Sequence, residues 1–431
     1  MRGGTVVDAG GTRRADVRIE GGSVVEVGDD LGVPAGATVL DAGGCLVGPG
    51  LVDLHTHLRQ PGREEAETVE TGARAAALGG FTAVVAMPNT EPAIDNAGTA
   101  REVLDLGRRA PAEVMVAGAI TMGRRGEQLA PMAELAALGV RLFTDDGAGV
   151  QDGALMRRAL DYAKGVGVTL AQHCEDEALA AGGAMHEGAW SSRLGVPGVP
   201  AAAEEAMVAR DLALVRLTGA PMHFLHLSTA GSVDLVRAAK AEGLAVTAEA
   251  APHHFVLTDA EVASYDPVFR VNPPLRGALD VAAVKRGLDD GTIDAVATDH
   301  APHVPETKDV PFDEAPPGML GLETALSLAF SELAVDPQRV LALLSWRPAA
   351  IAGLAAGRDR VGPGTAQGGP VAPGAVANLC VFDPAARWVV DPRALASRSR
   401  NTPYAGRAMV GRVRHTVLRG EPVVIDAEAQ R

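Results

Sequence analysis

Two histidines separated by a single residue, His55 and His57, follow a short apolar run at 51–54. Successive side chains of a strand point to opposite faces, so residues two apart share a face. Imidazole is the commonest protein ligand for zinc and related divalent ions, and the pair therefore indicates half of a metal site. Packing in the core or exposure to solvent is the alternative, and the His-x-His pattern alone does not separate the two.

Further polar side chains follow other strand-like runs along the chain. They are Asn89, Asp145, Asp146, His173, His226, Glu249, His253, His254, Asp299, His300 and His303. A lone histidine is more often a structural residue than a ligand. Histidines and carboxylates that recur at the ends of successive strands instead indicate one site for a divalent metal ion.

The elements that must position these residues alternate between strand-like and helical patterns from 51 to 363. The strand-like runs are 51–54, 81–86, 114–119, 140–143, 168–171, 222–225, 245–248 and 293–297, and helical patterns include 65–78, 152–164, 204–217 and 232–242. Eight such strands predict an α/β fold, a (β/α)8 barrel over 51–363, with an open doubly wound sheet as the competitor. Active sites of barrels collect where the strands end, so the polar residues there favour the barrel.

Short apolar runs between glycine turns occur at both ends of the chain. They are 15–20, 23–27, 38–40, 377–382, 388–390 and 413–418. Neither set is large enough for an independent sheet structure. We therefore predict one small composite β-sandwich domain made of 1–50 and 364–431, with the catalytic barrel inserted between its halves.

Composition restricts the classes of partner. The chain has 431 residues and a formal net charge of −15, which argues against nucleic acid and against anionic membrane surfaces. The opening residues lack the basic and then apolar layout of a secretory signal. Three cysteines without a spacing motif fit a reducing compartment, so we expect a cytoplasmic protein. Cys174, beside His173, is expected to be a buried apolar residue, with a thiolate ligand or nucleophile as the alternative.

The ordered motifs resemble the amidohydrolase superfamily and, within it, bacterial class I dihydroorotases. The carriers are DLHTHLR at 53–59, MPNT at 87–90, TDDG at 144–147, HCED at 173–176, HLST at 226–229, NPP at 272–274 and ATDHAPH at 297–303. The resemblance covers essentially the whole chain. It implies the reversible interconversion of N-carbamoyl-L-aspartate and L-dihydroorotate, a step of de novo pyrimidine synthesis.

The resemblance also implies a metal-ligand set for one or two zinc ions per subunit, with another divalent ion as the alternative. The implied ligands are His55 and His57 for one ion, His173 and His226 for the other, Asp146 as the bridging carboxylate and Asp299 on the eighth strand. The ions would lower the pKa of a bound water to about 7, with Asp299 as the general acid and base. Asp145 competes with Asp146, because sequence does not show which carboxylate turns inward. Related hydantoin-type enzymes use a carboxylated lysine here, and the end of the fourth strand has none.

Substrate recognition is predicted to depend on Arg59. It lies two residues beyond His57, hence on the same face if the strand continues, and a guanidinium binds carboxylates bidentately. A surface salt bridge is the alternative. The resemblance adds Asn89 and His303 to this clamp, although His303 could instead support the metal site. It implies that Asn272 contacts the ring or carbamoyl group.

Two further expectations concern the backbone near residues 317 and 318 and the remaining histidines. Backbone groups near Pro317 and Gly318 are expected to contact the substrate. Other histidines are predicted to be structural or to support ligands: His186, His223, His253, His254, His300 and His415.

Two other functions compete with the implied one. The first is another cyclic amidase acting on hydantoins, dihydropyrimidines or allantoin. The second is an inactive homologue that serves as a scaffold for aspartate transcarbamoylase. Every ligand position that can be matched is filled, which disfavours the scaffold. We expect a homo-oligomer, and the sequence leaves open whether an active enzyme also binds aspartate transcarbamoylase.

Overall fold

The structure, a computed structural model, describes residues 1–355 and 366–431. Its strands are β1 (Thr5–Asp8), β2 (Gly11–Arg14), β3 (Asp16–Glu20), β4 (Ser23–Gly28), β5 (Leu46–Pro49), β6 (Leu51–Thr56), β7 (Phe81–Ala86), β8 (Glu113–Val116), β9 (Leu142–Phe143), β10 (Thr169–Gln172), β11 (Met185–His186), β12 (Gly198–Val199), β13 (Met222–Phe224), β14 (Val246–Ala250), β15 (Ala295–Val296), β16 (Leu379–Val389), β17 (Ala408–Leu418), β18 (Glu421–Ile425) and β19 (Glu428–Ala429).

The helices lie mainly between the parallel strands. They are α1 (Val69–Leu78), α2 (Ala97–Gly107), α3 (Met132–Ala137), α4 (Gly153–Val166), α5 (Glu177–Ala180), α6 (Ala189–Leu194), α7 (Ala202–Thr218), α8 (Ala230–Ala241), α9 (Pro252–Val256), α10 (Ala278–Asp290), α11 (Pro305–Lys308), α12 (Ala325–Glu332), α13 (Pro337–Leu341) and α14 (Arg347–Ile351). Short 3₁₀ turns occupy Met122–Arg124, Asp259–Ser264 and Pro267–Phe269, and a π-helical turn occupies Ala342–Trp346.

Parallel strands form the centre of the molecule, and all eight strands predicted between 51 and 297 are confirmed with small shifts of their bounds. Strands β6, β7 and β8 form one sheet, and β9, β10, β13, β14 and β15 form another. Isolated parallel bridges join Gly118 to Phe143 and Thr56 to His300. One residue pair thus links the two sheets at each of these two places.

Alternate residues of these strands fall into two apolar clusters. Val52 and Ala83 belong to an inner cluster, made of side chains from the parallel strands and from α14. Their neighbours Leu51 and Val84 belong to a larger outer cluster that includes the apolar faces of the helices. This separation follows from the period of two in a strand, which sends successive side chains to opposite faces.

Helix boundaries follow local capping chemistry. The Asp152 side chain accepts hydrogen bonds from the backbone N–H groups of Ala154 and Leu155 at the start of α4, and Gly167, with φ of +77°, follows the last helical residue Val166. A carboxylate at the start of a helix and a left-handed glycine after its end are the favoured caps. The helices predicted at 65–78, 152–164, 204–217 and 232–242 are confirmed as α1, α4, α7 and α8, with bounds that differ by a few residues.

One seven-stranded sheet contains strands from both ends of the chain, in the order β19-β18-β17-β16-β5-β1-β2. Strand β5 pairs in parallel with β1 and antiparallel with β16, where Val381 lies opposite Val47. Strands β3 and β4 form a separate two-stranded hairpin. The strand predicted at 38–40 was wrong: these residues form no strand. The bridge at the next residue, between Arg2 and Asp41, is isolated, because no further residue pair continues it into a ladder.

The terminal sheet and the parallel strands share apolar contacts. Val7, Cys380 and Phe382 of the terminal sheet belong to the outer cluster, and Thr416 Oγ1 donates a hydrogen bond to the carbonyl of Ala77 in α1. The predicted boundary between residues 363 and 364 lies outside the described residues. Among the described helices, none combines the length and apolar character needed to cross a membrane.

Candidate active site

Four imidazole rings surround the buried carboxylate of Asp146, which follows β9. Its oxygens lie 3.4 Å from His55 Nε2, 3.6 Å from His57 Nε2, 3.5 Å from His173 Nδ1 and 3.5 Å from His226 Nε2. The histidines follow or end strands β6, β10 and β13. The ends of the parallel strands therefore bring side chains that are far apart in sequence to one point.

Asp299, just after β15, completes this cluster. Its Oδ1 lies 3.0 Å from His57 Nε2 and 3.5 Å from His55 Nε2. The ligand atoms of His55, His57 and Asp299 lie within 4.8 Å of one another, and so do those of His55, Asp146 and His226. The structure thus brings all six sequence-predicted metal-binding residues together.

The donor set fits a divalent metal ion. Within the described residues, the buried His55 Nε2 has no hydrogen-bond partner. His173 Nδ1 and His226 Nε2 face each other at 2.9 Å. Buried polar atoms are normally satisfied, and a cation between imidazole nitrogens and carboxylate oxygens would satisfy these atoms together.

The electrostatics of the cluster also favour positive charge. Burial opposes the protonation of His55, but the neighbouring Asp146 and Asp299 outweigh it and raise the pKa of His55 well above its ordinary value. Burial likewise opposes the ionisation of Asp146, yet His55, His173 and His226 hold the pKa of Asp146 well below its ordinary value. Buried carboxylates that stabilise a proton on imidazole would stabilise a metal cation at the same place.

The structure separates the two adjacent aspartates that sequence could not distinguish. Asp145 Oδ1 accepts hydrogen bonds from the backbone N–H groups of Ile120 (2.9 Å) and Thr121 (3.0 Å), and the Thr121 hydroxyl donates to Asp145 Oδ2. Asp145 therefore fixes the loop after β8, and Asp146 is the residue that turns toward the histidines.

Glu249 and His223 support the cluster by contacts that the sequence did not assign: Glu249 was expected at a strand end without a stated role, and His223 was expected to be structural or to support a ligand. Glu249 Oε1 lies 2.9 Å from His55 Nδ1, Glu249 Oε2 lies 3.0 Å from His223 Nε2, and His223 Nδ1 lies 2.8 Å from Thr247 Oγ1. Burial opposes the ionisation of Glu249, but His223 and His55 lower its pKa to about 2. A carboxylate on the far nitrogen of a ligand imidazole fixes its tautomer and orientation. The sequence signal for these contacts was the alternation of Thr247 and Glu249 in β14. Assigning them to His223 requires the register of β13 against β14.

Asp53 holds the first and last parallel strands together. Its Oδ1 accepts from the backbone N–H groups of His55 (3.1 Å) and Thr298 (3.0 Å), and its Oδ2 accepts from the Thr298 hydroxyl (2.5 Å). Burial raises the pKa of Asp53 to about 7. The side chain thus positions the backbone beside His55 and Asp299 and does not itself enter the cluster.

A cavity of about 260 Å³ opens onto the histidine cluster. Its wall contains every residue predicted to bind substrate: Arg59, Asn89, Asn272, His303, Pro317 and Gly318. Two further cations, Arg63 and Arg124, also line the cavity and were not predicted. The Arg124 guanidinium donates to the carbonyl oxygen of Asp146 at 2.6 Å. The signal for Arg124 was weak, since it lies outside every strand end.

Arg59 reaches the cavity by a route that differs from the prediction. Strand β6 ends at Thr56, and Arg59 has a left-handed backbone with φ of +61°, so strand alternation does not extend to it. Its Nε donates to the carbonyl of Pro302 at 3.1 Å, and its Nη2 lies 3.4 Å from His303 Nε2. The prediction that strand alternation places His55, His57 and Arg59 on one face was therefore wrong, because the backbone turns before Arg59. Arg59 nevertheless lines the same cavity as His57.

The other wall residues are held by neighbouring groups. Asn89 Oδ1 lies 2.9 Å from His57 Nδ1, and His303 Nε2 donates to the Pro317 carbonyl at 2.9 Å. Burial and the nearby Arg59 lower the pKa of His303 to about 2, so the ring is neutral. A Cβ on Gly318 would meet His303 Nε2 at 2.8 Å, and φ there is +143°, so glycine is required for this close approach.

The remaining histidines lie away from the carboxylate cluster. His300 Nε2 lies 3.3 Å from Glu67 Oε2, on the side away from the cluster as expected. His253 and His254 pack against each other with ring centroids 4.3 Å apart. His186 contacts Arg276, and His415 lies in β17 of the terminal sheet. The sulfur of Cys174 is buried, and burial raises the pKa of the thiol well above its ordinary value, which agrees with an apolar role.

Comparison with known proteins gives a consistent result. A family model described as "Dihydro-orotase-like" matches residues 44–232. A dihydroorotase of Pelotomaculum thermopropionicum is 48% identical over 99% of this chain and 98% of its own length, and one of Streptomyces coelicolor is 49% identical with the same coverage.

Solved structures show the same fold at lower identity. The L-hydantoinase (dihydropyrimidinase) of Arthrobacter aurescens has a TM-score of 0.87 and 24% identity, over 99% of this chain and 96% of that one. A D-hydantoinase of a Thermus species has a TM-score of 0.82 and 24% identity, over 99% and 95%. These structures share the fold of this chain, whereas full-length relatives near 48% identity define the family. The chain belongs to the dihydroorotase family.

Proposed function

We propose that the protein is a dihydroorotase that interconverts N-carbamoyl-L-aspartate and L-dihydroorotate in de novo pyrimidine synthesis. One observation carries the proposal: the cavity that opens onto the carboxylate and histidine cluster is lined by Arg59, Asn89 and His303. Both substrates carry a carboxylate, and a cavity wall with a guanidinium and amide groups suits the binding of a carboxylate. A hydantoin or dihydropyrimidine without a carboxylate would leave this buried cation unpaired.

We propose zinc, one or two ions, as the cofactor. The proposed ligands are His55, His57, His173, His226, Asp146 and Asp299, with Asp146 bridging. A bound divalent ion would supply a water of lowered pKa and would polarise the carbonyl group that reacts. Mixed imidazole and carboxylate ligation suits zinc, and the described part of the chain brings no thiol into the cluster.

Asp299 is proposed to move the proton. Asp299 lines the cavity, and its carboxylate contacts His57 Nε2 at 3.0 Å. Burial opposes its ionisation, but His55, His57 and His226 lower the pKa of Asp299, so it starts as a proton acceptor. In ring opening it would take a proton from the attacking water and deliver it to the ring nitrogen. In ring closure the same group would return the proton to the departing oxygen.

Arg59 is proposed to hold the substrate carboxylate together with Asn89 and His303. Burial and the neighbouring Arg63 lower the pKa of Arg59 to about 10, so the guanidinium stays charged at neutral pH. Asn272 is proposed to contact the ureide, and backbone groups at Pro317 and Gly318 to close the wall. Together these contacts would orient the reacting carbonyl toward the metal site.

The proposed architecture is a closed (β/α)8 barrel over 51–363, with a small β-sandwich domain built from 1–50 and 364–431. The bridges Gly118–Phe143 and Thr56–His300 support closure, because they link the edges of the two parallel sheets. The seven-stranded terminal sheet and the β3–β4 hairpin share an apolar cluster that includes Val17 and Val381, which supports two packed layers.

We further propose a cytoplasmic homo-oligomer, and we treat a complex with aspartate transcarbamoylase as a separate proposal. The cysteines Cys45, Cys174 and Cys380 are buried and unpaired, which suits a reducing compartment. Light scattering of the protein alone, and then of a mixture with aspartate transcarbamoylase, would test the two assemblies.

The central test measures metal content and turnover on one sample. We expect zinc by elemental analysis, turnover of L-dihydroorotate and N-carbamoyl-L-aspartate, and little turnover of 5,6-dihydrouracil, which lacks the carboxylate. Faster turnover of dihydrouracil would favour the dihydropyrimidinase alternative. A metal-loaded protein inactive on all three compounds would contradict the proposed function and favour the scaffold.

A further inference from the structure

The side-chain amide of Asn272 has a fixed orientation. Its Nδ2 donates a hydrogen bond to Glu175 Oε1 at 3.1 Å. A carboxylate oxygen only accepts, so the amide nitrogen must face Glu175 and the amide oxygen must face away. Across the described part of the chain, no protein group donates to Asn272 Oδ1. The oxygen is therefore an available acceptor.

Glu175 lies behind Asn272 and outside the substrate cavity. A second cavity of about 90 Å³ is lined by Glu175, Asn272 and Pro317, whereas the main cavity is lined by Asn272 and Pro317 without Glu175. Asn272 thus forms part of the wall between the two spaces. The contact with Asn272 is therefore the hydrogen bond by which the Glu175 side chain acts on the wall of the main cavity.

The backbone of Glu175 is anchored on both sides. Its N–H donates to the carbonyl of His173 at 3.0 Å, and its carbonyl accepts from Gln151 Nε2 at 3.0 Å. These contacts hold Glu175 directly after β10. The carboxylate is therefore presented to Asn272 by a fixed segment.

Asn89, which lines the same cavity, has the opposite polarity. If His57 Nε2 binds a metal ion, His57 Nδ1 carries its hydrogen and Asn89 Oδ1 accepts it at 2.9 Å. The Nδ2 of Asn89 is then a donor outside this hydrogen bond. Asn89 and Arg59 thus offer donors that suit a carboxylate, and Asn272 offers an acceptor that suits an N–H group.

We propose that Glu175 is a positioning residue that fixes Asn272 as a hydrogen-bond acceptor for an N–H of the substrate ureide. This inference rests on the proposed function, in which both substrates carry ureide N–H groups. If the Asn272 amide were flipped, its Nδ2 would face the substrate N–H. Two donors would then meet, and the buried substrate N–H would have no acceptor. Glu175 would thereby contribute to selection of a ureide without touching it.

The kinetic test is a double-mutant cycle on the metal-loaded enzyme. Glu175→Gln keeps the shape but can donate to Asn272 Oδ1, so the orientation is no longer fixed. We expect its KM for L-dihydroorotate to rise about tenfold, with kcat and zinc content within about twofold. In an Asn272→Ala background the same change should have no further effect on KM. Glu177→Gln, at an exposed neighbour, is the matched control and should behave as wild type.

A second measurement reads the orientation without substrate. The chain has five asparagines, so protein labelled with ¹⁵N-asparagine gives few side-chain amide signals, and Asn272→Ala identifies the pair from Asn272. We expect one of these protons to exchange slowly with solvent in the wild type and to lose that protection in Glu175→Gln. The Asn89 pair should be unchanged.

The outcomes separate this inference from the proposed function. An unchanged KM in Glu175→Gln, an equal rise of KM in both backgrounds, loss of zinc in Glu175→Gln, or an unprotected Asn272 amide would each overturn the positioning role. A protected amide that responds to Glu175→Gln would support that role even if L-dihydroorotate were not turned over. The absence of turnover would instead refute the proposed substrate.

Discussion

Four non-glycine residues that line the cavity have left-handed backbone conformations: Arg59 with φ of +61°, Arg124 with φ of +57°, His226 with φ of +30° and Asp299 with φ of +48°. Residues other than glycine adopt this region at a cost of about 1–3 kcal/mol, and such residues cluster at functional sites. At Asp299 the turn directs the carboxylate toward His57. The packing around the strand ends holds these conformations in place.

Replacement of Asp299 by Asn should separate its proton transfer from its shape. Asn tolerates the left-handed region, so we expect Asp299→Asn to fold, to keep part of its metal and to lose about 10²- to 10⁴-fold in kcat. Steady-state kinetics and elemental analysis on one preparation check this. Asp161→Asn on the exposed face of α4 is the control, and a near wild-type rate in Asp299→Asn would refute the role.

Replacement of Arg59 by Lys should affect binding and leave the metal site intact. Lys keeps the charge but cannot form two parallel hydrogen bonds with a carboxylate. We expect KM for L-dihydroorotate to rise about 10- to 100-fold while zinc content is unchanged. Arg101→Lys, at an exposed position, serves as the comparison. A KM equal to that of the wild type would argue against the clamp.

Residue types and the family resemblance led to residues that the structure brings together, whereas Arg63 and Arg124 of the cavity wall were not predicted. His55 and His57 could be assigned because strand alternation still holds at the end of β6. The choice between Asp145 and Asp146 could not be made, because the chain leaves the strand at Phe143 and alternation no longer applies. Arg59 was found through its charge and its neighbours rather than through its correct geometry.

The connection after β13 is fixed by α7 through one buried carboxylate. Glu204 Oε1 accepts from the backbone N–H groups of Ser228 and Thr229, each at 3.0 Å, and the Ser228 hydroxyl donates to Glu204 Oε2. Arg276 Nε donates to Ser228 Oγ at 3.0 Å. The turn held in this way begins immediately after His226, so helix α7 positions a proposed metal ligand that it does not touch.

Glu204→Gln should weaken both the fold and the metal site. The amide replaces an acceptor with a donor that faces N–H groups, and it removes the charge near buried Arg276. We expect a loss of about 3 kcal/mol in the free energy of unfolding and weaker zinc retention against a chelator. Glu205→Gln, on the next residue of α7, is the matched change. Equal zinc retention in the two variants would show that Glu204 does not act on His226.

Strands and helices were predictable where their sequence pattern was long, whereas the register between paired strands was not. The eight parallel strands followed from apolar runs between helical patterns, and β7 at Phe81–Ala86 was predicted with its observed bounds. The contact between Glu249 and His223 depends on β13 and β14 being paired with His223 opposite Thr247. A single sequence carries no signal for that pairing, because strands buried on both faces lack the polar alternation that fixes register.

At the scale of the molecule, buried Asp8 joins the two ends of the chain. Its Oδ2 accepts from the backbone N–H of Val371 (2.9 Å) and from Arg13 Nη2 (3.0 Å), and its Oδ1 accepts from the backbone N–H of Gly10 (2.8 Å). Burial opposes ionisation of Asp8, but Arg13 and the two backbone donors outweigh it and lower its pKa. The ionised carboxylate therefore stabilises the terminal sheet.

The stability contributed by Asp8 should depend on pH. A lowered folded-state pKa gives stabilisation that is present above the unfolded pKa of about 3.9 and is lost as the pH falls through the folded value. We expect Asp8→Asn to lower the free energy of unfolding by about 1–3 kcal/mol at pH 7, and the difference from wild type to shrink below about pH 4. Urea unfolding at both pH values checks this, with exposed Asp29→Asn as the control. A deficit that does not change with pH would contradict it.

The seven-stranded terminal sheet can be completed only late in translation. Strand β5 leaves the ribosome early, but its neighbour β16 begins at Leu379, more than three hundred residues later. At about 5–20 residues per second, translation needs tens of seconds to supply it. During that time the edge of β5 is open, while the parallel strands can already pair with one another. The catalytic part can thus assemble on the ribosome before the sheet that joins the two ends of the chain is complete.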